Sequence, residues 1–297
     1  MKTASTPMKL LGVVVLYHPD EAFASRVASY LPVVDKLLLW DNTPGGSRVA
    51  AMLPEEVAAG KCLVKGTGRN EGIGRALNEA VRYARAGGCT HLITFDQDSR
   101  FLPGEAQRYV ERVAALSAGR EAIFSTNYRI ESQGTTLYPV SDAVDEVRSA
   151  MTSGSIYPLS VIGCVGLFRE DFFIWGIDME YSYRARRAGI PTLCLKDVLL
   201  QHGFGAQRRR HRLLGREVFP NEYAPARTYY NVRNGFLLHR LFPADLPLWP
   251  HLKYHFFKRL VFVTLYEQQK GAKYRALFCG LLDGLRGRAG KWRRQRD

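Results

Sequence analysis

The chain has 297 residues, 46% of them hydrophobic, so it is long enough to bury one substantial core. Its formal net charge is +14 at pH 7, and residues 1–204 carry equal numbers of basic and acidic side chains, so the surplus lies in the last third. This distribution indicates an anionic surface or ligand near the C-terminal part. It opposes nucleic-acid binding, which needs basic and aromatic residues together over a reading surface, and we expect no nucleic-acid partner.

The five cysteines are odd in number and widely spaced, without a C-x-x-C pair, which is typical of reduced thiols in a cytosolic protein. The apolar stretch 10–17 is too short for the core of a signal peptide and runs into His18 and Pro19, so it predicts a strand. The sequence contains no apolar run of about 18 residues or more that would span a bilayer. We therefore expect a cytoplasmic protein, with peripheral association at the inner face of the cytoplasmic membrane left open.

Strands and helices alternate over the first hundred residues. The predicted strands cover residues 10–17, 36–40, 62–65 and 92–95, and the predicted helices cover residues 21–30 and 75–86. Strands that are apolar along their whole length predict an α/β fold, with a mostly parallel sheet covered by helices on both faces. Ligands of such sheets bind at the carboxyl ends of the strands, where the polar clusters 17–18, 41–42 and 96–98 lie. We expect these clusters to converge on one crevice.

Asp96 and Asp98 directly follow the fourth predicted strand, and the next basic residue is Arg100. Two carboxylates this close repel each other unless a positive group lies between them. One carboxylate could cap the following helix, but capping needs a single oxygen. The alternative is that both hold Mg²⁺ or Mn²⁺, hard cations that take oxygen ligands and share them with substrate phosphates. The motif alone leaves both interpretations open.

Two further segments carry candidate functional residues. The glycines of residues 66–74 depart from the dinucleotide-binding pattern, and they could leave backbone N–H groups for an anion, permit tight packing or form a flexible loop. Asp178 and Glu180 lie beside Trp175 before a basic helix, where one could cap the helix or both could form a site with a general base. His202 alone would be interpreted as a core or surface histidine.

Taken in order, these segments resemble glycosyltransferase family 2, the nucleotide-sugar enzymes of the GT-A fold, and most closely its bacterial rhamnosyltransferase branch. The matching segments are VVVLYHPD (13–20), WDN (40–42), GRNEGIGRALNEA (68–80), FDQDS (95–99), TSG (152–154), GIDMEYSYRARRAG (176–189), LQHGFG (200–205) and RTYYNVRN (227–234). The resemblance runs nearly from end to end. Within the family, D-Q-D-S and R-x-Y-Y-x-x-R-N point to rhamnosyl transfer.

The resemblance implies a GT-A catalytic domain over residues 1–240, with a nucleotide-binding half (1–100) and an acceptor half (101–240), followed by a basic amphipathic helical extension (241–297). It implies an inverting transferase that moves L-rhamnose from dTDP-L-rhamnose to a hydroxyl of a glycan or lipid-linked saccharide, such as a lipopolysaccharide core or O-antigen. The family also transfers hexosyl, N-acetylhexosaminyl and galactofuranosyl groups, and that alternative stays open.

The resemblance also implies roles for individual residues. Asp98 would be the principal ligand of Mg²⁺ or Mn²⁺, His202 would complete the metal site, and Asp96 would contact the metal, sugar or ribose. Asp178 would be the general base, with Glu180 as a rival because Ile177 stands where many relatives are acidic. The implied contacts to the nucleotide sugar are Leu16, Tyr17, Asp41, Asn70, Gly72, Asp96 and Arg208.

The C-terminal part is predicted to be helical from Leu246 to its end. Six aromatic and aliphatic residues recur at helical spacing and would form one stripe along a helix: Tyr274, Leu277, Phe278, Leu281, Leu282 and Leu285. Residues 251–266, just before it, are apolar nearly all round the helix. These helices could pack on the catalytic domain, or one face could rest on an anionic membrane surface, and the sequence favours neither.

Overall fold

A computed structural model of the chain describes residues 7–130, 134–203, 211–213, 216–218 and 222–293. The strands are β1 (Leu10–Leu16), β2 (Lys36–Asp41), β3 (Cys62–Gly66), β4 (His91–Asp96), β5 (Ser99–Phe101), β6 (Ile123–Ile130), β7 (Thr135–Thr136), β8 (Val144–Val147), β9 (Ser155–Pro158), β10 (Thr192–His202), β11 (His211–Leu213) and β12 (Arg216–Val218). The helices are α1 (Phe23–Ala28), α2 (Val49–Met52), α3 (Pro54–Ala58), α4 (Ile73–Ala86), α5 (Glu105–Ser117), α6 (Leu159–Val165), α7 (Ile177–Arg187), α8 (Pro225–Leu241), α9 (Leu248–Leu252), α10 (Lys258–Leu265) and α11 (Lys270–Leu285), with a π-helical turn (Lys253–Phe257) between α9 and α10.

Strands β1 to β4, from the first hundred residues, form a parallel sheet in the order β3-β2-β1-β4. Val13 and Val14 of β1 are both fully buried, and they belong to separate apolar clusters. Successive side chains of a strand point to opposite faces, so β1 is covered on both sides. This explains why these strands are apolar along their whole length, and it confirms the predicted α/β class.

The second half adds strands of mixed direction. β9 pairs antiparallel with β4, β6 runs parallel to β10, and β5 pairs antiparallel with the end of β10. Ser99 of β5 lies opposite His202 of β10 in this register. The short β5 follows Asp98 directly, so this pairing brings the end of β10 beside the acidic turn after β4.

A layer of helices covers one side of the second half. α8 and α11 share an apolar cluster with the π-helical turn and α10, whose buried members are Val232, Phe236, Phe256, Val263 and Leu277. Helix α11 ends at Leu285, so the prediction of helix to the end of the chain is wrong for residues 286–293. Among the described residues, no helix combines the length and apolar character needed to cross a membrane.

The cysteines are free thiols in the structure. Burial raises the pKa of Cys62 and of Cys194 to about 11, so both stay protonated at neutral pH.

Candidate active site

Three side chains at the carboxyl edge of the sheet form a cluster that could hold a divalent cation. One ligand atom from each of Asp96, Asp98 and His202 lies within 4.8 Å of the others. His202 Nδ1 is 3.2 Å from Asp98 Oδ1, and His202 Nε2 is 3.8 Å from Asp96 Oδ2. Helix α5 begins at Glu105 behind Gly104, so neither aspartate is its N-cap residue. Two carboxylates and an imidazole are suitable ligands for Mg²⁺ or Mn²⁺.

The pKa shifts in this cluster show how the charges of its three side chains affect one another. Burial raises the pKa of Asp96, and the charge of Asp98 raises it further. Burial alone would lower the pKa of His202, but the hydrogen bond to Asp98 and the charges of both aspartates outweigh it and raise that pKa. The cluster thus favours positive charge, which a divalent cation would supply.

Two fully buried serines support the cluster from behind. Ser99 Oγ lies 2.8 Å from His202 Nδ1, and Ser153 Oγ donates to Ser99 Oγ at 2.8 Å. Ser153 Oγ also accepts the backbone N–H of Asp96 at 3.0 Å. A histidine whose Nδ1 is engaged in this way presents Nε2 to a metal. The sequence analysis did not single out either serine, although D-Q-D-S and T-S-G, which contain them, were among the matching segments.

Gln97, between the two aspartates, ties their turn to the end of β1. Its Oε1 accepts the backbone N–H of Tyr17 at 2.7 Å, and its Nε2 donates to the Tyr17 carbonyl at 3.1 Å. The Tyr17 side chain is 42% exposed at this edge. The two carboxylates therefore sit on a turn fixed from both sides, by Gln97 and by β5.

Asp178 lies in the first turn of α7, behind Gly176 as N-cap. Burial raises the pKa of Asp178 to about 6, the charge of Asp96 adds to this rise, and the Met179 backbone N–H opposes it. The charge of Asp96 acts on Asp178, so Asp178 lies within electrostatic range of the candidate metal cluster. A carboxylate with this pKa is largely ionised at pH 7 and is a stronger base than an exposed aspartate.

Glu180 has a different environment, although it is only two residues further along α7. Its side chain is 3% exposed and forms a two-point ion pair with Arg184, with both N–O distances 2.9 Å. Arg184 also donates to the carbonyls of Val165 and Leu167 at 2.6 and 2.9 Å. These contacts anchor α7 to the segment after α6, so Glu180 is engaged in packing.

The segment before Asp178, residues 170–176, is named here the catalytic loop, and it is backbone-strained. Phe173 has φ 65° and ψ −64°, and the Ile174 N–H donates to the Phe172 carbonyl at 2.8 Å, which defines a γ-turn of the rare positive-φ kind. Trp175 also has a positive φ of 68°. Strain of this sort persists only where the surroundings fix it, and it concentrates at functional sites.

Helix α8 supplies that fixation through two buried side chains. Asn234 Nδ2 donates to the carbonyls of Phe172, Ile174 and Trp175 at 2.9, 2.9 and 2.7 Å. The fully buried Arg233 donates to the Phe172 carbonyl at 3.2 Å, and burial lowers its pKa. The R-N pair that ends R-x-Y-Y-x-x-R-N therefore binds the carbonyls of the catalytic loop.

The glycine-rich segment packs tightly against the same loop. A Cβ on Gly72 would lie 2.6 Å from the Phe173 carbonyl oxygen, and a Cβ on Gly74 would lie 2.6 Å from that of Arg169. The Ile73 N–H donates to the Phe173 carbonyl at 2.7 Å. Tight packing therefore accounts for Gly72 and Gly74, whereas a Cβ on Gly68 would meet nothing within 4 Å. The contact of Gly72 with a nucleotide stays a prediction.

The residues predicted to contact the nucleotide sugar lie in different environments. Leu16 is fully buried in the core, so its predicted place in a base pocket is wrong. Burial acts to raise the pKa of Asp41, but hydrogen bonds from Ser47 and Thr43 outweigh it and keep the carboxylate ionised. Arg208 lies outside the described residues.

Asn70 and Asn42 organise the donor side. Asn70 Oδ1 accepts the Gly72 N–H at 3.1 Å, and the Asn70 carbonyl accepts a hydrogen bond from Lys291 at 3.2 Å. Asn42 Nδ2 donates to the Gly72 carbonyl at 3.0 Å, which links the W-D-N and glycine-rich segments. The prediction did not assign a role to Asn42, although W-D-N was among the matching segments.

Arg227, the first residue of R-T-Y-Y-N-V-R-N, is an exposed cation near the site. Its charge lowers the pKa of Asp96, of Asp178 and of His202. Since its field reaches both the candidate metal cluster and the candidate base, Arg227 is a candidate functional residue to which the sequence analysis assigned no role. An exposed arginine in this position can bind an anionic group.

The chain is similar to known proteins in sequence and in fold. No protein-family model matches the chain. It is 27% identical over 242 residues to "dTDP-rhamnosyl transferase RfbF" of Shigella flexneri, which covers 75% of this chain and 78% of that protein. Among solved structures, S. aureus TarS 1–349 in complex with UDP-GlcNAc matches with a TM-score of 0.61 at 13% identity, over 95% of this chain and 82% of that one.

A second solved structure, GalNAc-T7 with UDP, GalNAc and Mn²⁺, matches with a TM-score of 0.54 at 14% identity. The match covers 85% of this chain, which spans only 55% of the GalNAc-T7 chain. At these identities the two solved structures establish the fold alone. Together with the 27% identical relative, they confirm the predicted fold and the predicted resemblance.

Proposed function

Since the chain is a glycosyltransferase with the GT-A fold, we propose that it is an inverting rhamnosyltransferase. It moves L-rhamnose from dTDP-L-rhamnose to a hydroxyl of a glycan or glycolipid acceptor. The observation that carries this proposal is the cluster of Asp96, Asp98 and His202, which could hold a cation, together with the effect of the Asp96 charge on the candidate base Asp178. The similarity to a dTDP-rhamnosyl transferase supports the choice of donor.

Asp98, His202 and Asp96 would hold Mg²⁺ or Mn²⁺ in this proposal. The fit rests on their donor atoms and on the serine behind His202 Nδ1. When bound, the cation stabilises the negative charge that develops on the departing nucleoside diphosphate. Arg227 adds a second positive charge on the same side of the site, where it can bind the diphosphate oxygens.

Asp178 is the proposed general base. Its carboxylate accepts the proton of the acceptor hydroxyl while the hydroxyl oxygen attacks the anomeric carbon. The attack comes from the face opposite the leaving diphosphate, so the configuration at that carbon inverts in a single displacement. Glu180 is assigned a packing role, because Arg184 engages both of its carboxylate oxygens.

We further propose that the acceptor belongs to the cell envelope, as a lipopolysaccharide core, an O-antigen or a similar glycan or lipid-linked saccharide. The resemblance to the rhamnosyltransferase branch supports this choice. It also supports action on the cytoplasmic side of the membrane, where nucleotide sugars are the donors.

A thermal-unfolding screen of nucleotide sugars tests the donor and the cation together. A ligand that binds only the native state must raise the unfolding temperature. We expect dTDP-L-rhamnose with Mn²⁺ or Mg²⁺ to raise the unfolding temperature of the wild type, and the metal-dependent part of that rise to disappear in Asp98→Ala. Asp142→Ala, which removes an exposed aspartate, is the matched control and should respond like the wild type.

The same screen decides between rhamnose and the other sugars that the family transfers. The two solved neighbours were crystallised with ligands of UDP-linked N-acetylhexosamine chemistry, but their similarity extends to the fold alone. UDP-N-acetylglucosamine, UDP-galactose and UDP-galactofuranose are therefore tested beside dTDP-L-rhamnose. A metal-dependent shift with one of these and none with dTDP-L-rhamnose would overturn the assigned sugar.

A further inference from the structure

The C-terminal helices expose large apolar side chains on their outer side. Seven of them are between 45% and 65% exposed, and they are named here the apolar face: Trp249, Phe257, Val261, Leu265, Phe278, Leu282 and Leu285. Single exposed apolar residues are ordinary, but a cluster of this size on neighbouring helices marks an interaction surface.

Aromatic contacts show that the two halves of the apolar face adjoin. The ring of Trp249 lies 5.7 Å from that of Phe257, which lies 5.3 Å from that of the buried Phe256. Phe256 in turn lies 5.8 Å from the exposed Phe278 of α11. The outer sides of α9, the π-helical turn and α11 therefore meet through a continuous row of rings.

The apolar stripe of α11 is wider than its neighbours can cover. Leu277 is fully buried and Leu281 is partly buried against α8 and α10, whereas Phe278 and Leu282 are almost half exposed. One edge of the stripe thus packs on the protein, and about half of the surface of Phe278 and of Leu282 on the other edge is left uncovered by the described residues. The sequence left open whether these helices pack on the domain or face a membrane surface. In the structure, one edge of α11 packs on the domain, and the other edge is exposed and available to another surface.

The charges around the apolar face are almost all positive. Only two acidic residues occur between 248 and 293. Glu267 has a 2% exposed side chain in an ion-pair network with Arg259 and Lys273, and Asp283 pairs with Arg288. The exposed basic residues of this part of the chain are Lys253, Lys258, Lys270, Arg275, Arg286, Arg288, Lys291 and Arg293.

From this arrangement we propose that the apolar face lies in the interfacial layer of an anionic lipid bilayer. Apolar side chains enter the headgroup boundary while lysines and arginines bind the lipid phosphates, which is how interfacial helices attach. A second copy of the chain on this face would set positive charge against positive charge. Anionic headgroups neutralise it, so charge complementarity selects the bilayer.

The same helical segment touches the catalytic loop with its inner side. The rings of His251 and His255 each lie 5.3 Å from that of Trp175, three residues before Asp178. The outer side of this segment carries Trp249 and Phe257. If the proposed transfer to a lipid-linked acceptor holds, the bilayer would lie one helix thickness from the loop that carries the base.

Vesicle binding tests the bilayer proposal without donor or acceptor. Full-length protein is mixed with vesicles of phosphatidylethanolamine and phosphatidylglycerol, and bound protein is measured by sedimentation. Trp249 is 65% exposed whereas Trp40 and Trp292 are 6% exposed, so a blue shift of tryptophan emission on binding should report Trp249 and should be lost in Trp249→Phe. We expect binding to anionic vesicles, weak binding to pure phosphatidylcholine, and release by salt.

Two sets of variants separate the apolar and electrostatic contributions. Phe257→Ser with Leu282→Ser, and separately Lys253→Glu with Lys258→Glu, should each lower the vesicle partition coefficient by about tenfold or more. The matched controls change residues that are equally exposed elsewhere, namely Leu137→Ser with Val140→Ser, and Lys36→Glu with Lys65→Glu. These controls should bind like the wild type.

The bilayer proposal is overturned if the wild type does not bind anionic vesicles, or if the test variants bind as well as the control variants. It is also overturned if ultracentrifugation without lipid shows a dimer that Phe257→Ser with Leu282→Ser dissociates, because the apolar face would then bind a second copy. None of these results depends on turnover, so the proposed sugar transfer would stand or fall separately.

Discussion

Two pairs of acidic residues in this protein have the same spacing and opposite arrangements. Asp96 and Asp98 converge with His202 on one cluster, because they lie on a strand end and a tight turn. Asp178 and Glu180 diverge, because they lie on one helix, where residues two apart point about 200° away from each other. Asp178 turns toward the metal cluster, and Glu180 turns into an ion pair with Arg184.

The difference teaches that spacing alone does not identify a paired-carboxylate site. The secondary structure under the pair decides whether the charges meet or separate. A converging pair has to be neutralised by a cation or a proton, whereas a diverging pair can divide the work between chemistry and packing. Mutations that treat the members of each pair alike should therefore produce unlike results.

The largest expected effect separates Asp178 from Glu180. Asp178→Asn should lower kcat by about a thousandfold, since a general base contributes 10²- to 10⁴-fold. Glu180→Gln should instead lower the free energy of unfolding by about 3 kcal/mol, because it leaves Arg184 without its carboxylate. Rates of dTDP release and thermal unfolding, measured on both variants, distinguish the two outcomes. A kcat loss in Glu180→Gln as large as that in Asp178→Asn would contradict the assigned roles.

The next largest effect concerns the hydrogen bonds that support the catalytic loop, which are separate from the candidate metal cluster. Asn234→Ala should lower kcat by about 10- to 100-fold while the Kd for dTDP changes little, because a displaced loop misplaces Asp178 rather than the donor site. The measurement is kcat against Kd on the folded protein.

Asn127→Ala is the matched control for that variant. Asn127 is also a buried asparagine, and its Nδ2 donates to the carbonyls of Tyr138 and Lys196, away from the catalytic loop. It should lower the unfolding temperature without changing kcat. If both variants only lose stability, Asn234 does not position the base.

A third experiment perturbs the metal side of the comparison. Ser153→Ala removes the hydroxyl between Ser99 and the Asp96 backbone, and it should raise the metal concentration for half-maximal activity by about 10- to 100-fold. Saturating metal should restore most of kcat. Ser125→Ala removes another buried hydroxyl, which bonds the Leu193 carbonyl and the Cys194 thiol, and should leave the metal requirement unchanged. An unchanged requirement in Ser153→Ala would exclude the supporting role.

The smallest expected effect is the pH dependence of the base. Because burial raises the pKa of Asp178 to about 6, kcat/KM should fall about tenfold for each pH unit below 6 and level off above it. The native state binds this proton more tightly than the unfolded chain does, so its contribution to stability falls as pH rises from about 4 to 6. Activity and stability should therefore change in opposite directions in this window. An acid limb near pH 4 would contradict the raised pKa.

Local pattern was enough to predict the nucleotide-binding half of the sheet. β1, β2, β3 and β4 all lie within two residues of their predicted bounds, because each is a short apolar run between turn residues. The acidic turn after β4 was also predicted as a candidate site. These features depend on neighbours in sequence, so the sequence displays them directly.

Features built by distant segments could not be predicted from local pattern. The pairing of β5 with β10, which sets Ser99 beside His202, joins residues about a hundred positions apart. The positive φ of Phe173 has no sequence signal, because a phenylalanine rarely adopts it and contacts from distant segments, among them Ile73, Arg233 and Asn234, hold the loop in place. The role of Gly72 was ambiguous for the same reason, because Gly72 packs on Phe173, which lies about a hundred positions away in the sequence.

The hydrogen bonds that support the catalytic loop affect the order in which parts of the site can form during synthesis. The Gly290 N–H donates to the Asp171 carbonyl at 2.6 Å, and Arg233 bonds the Arg288 carbonyl at 3.2 Å. A ribosome extrudes Asp178 long before either support. The candidate cation cluster, whose last member is His202, can thus form before the hydrogen bonds from residues 288–290 support the segment that precedes Asp178. On the proposed function, activity would therefore appear only after these C-terminal residues have been synthesised.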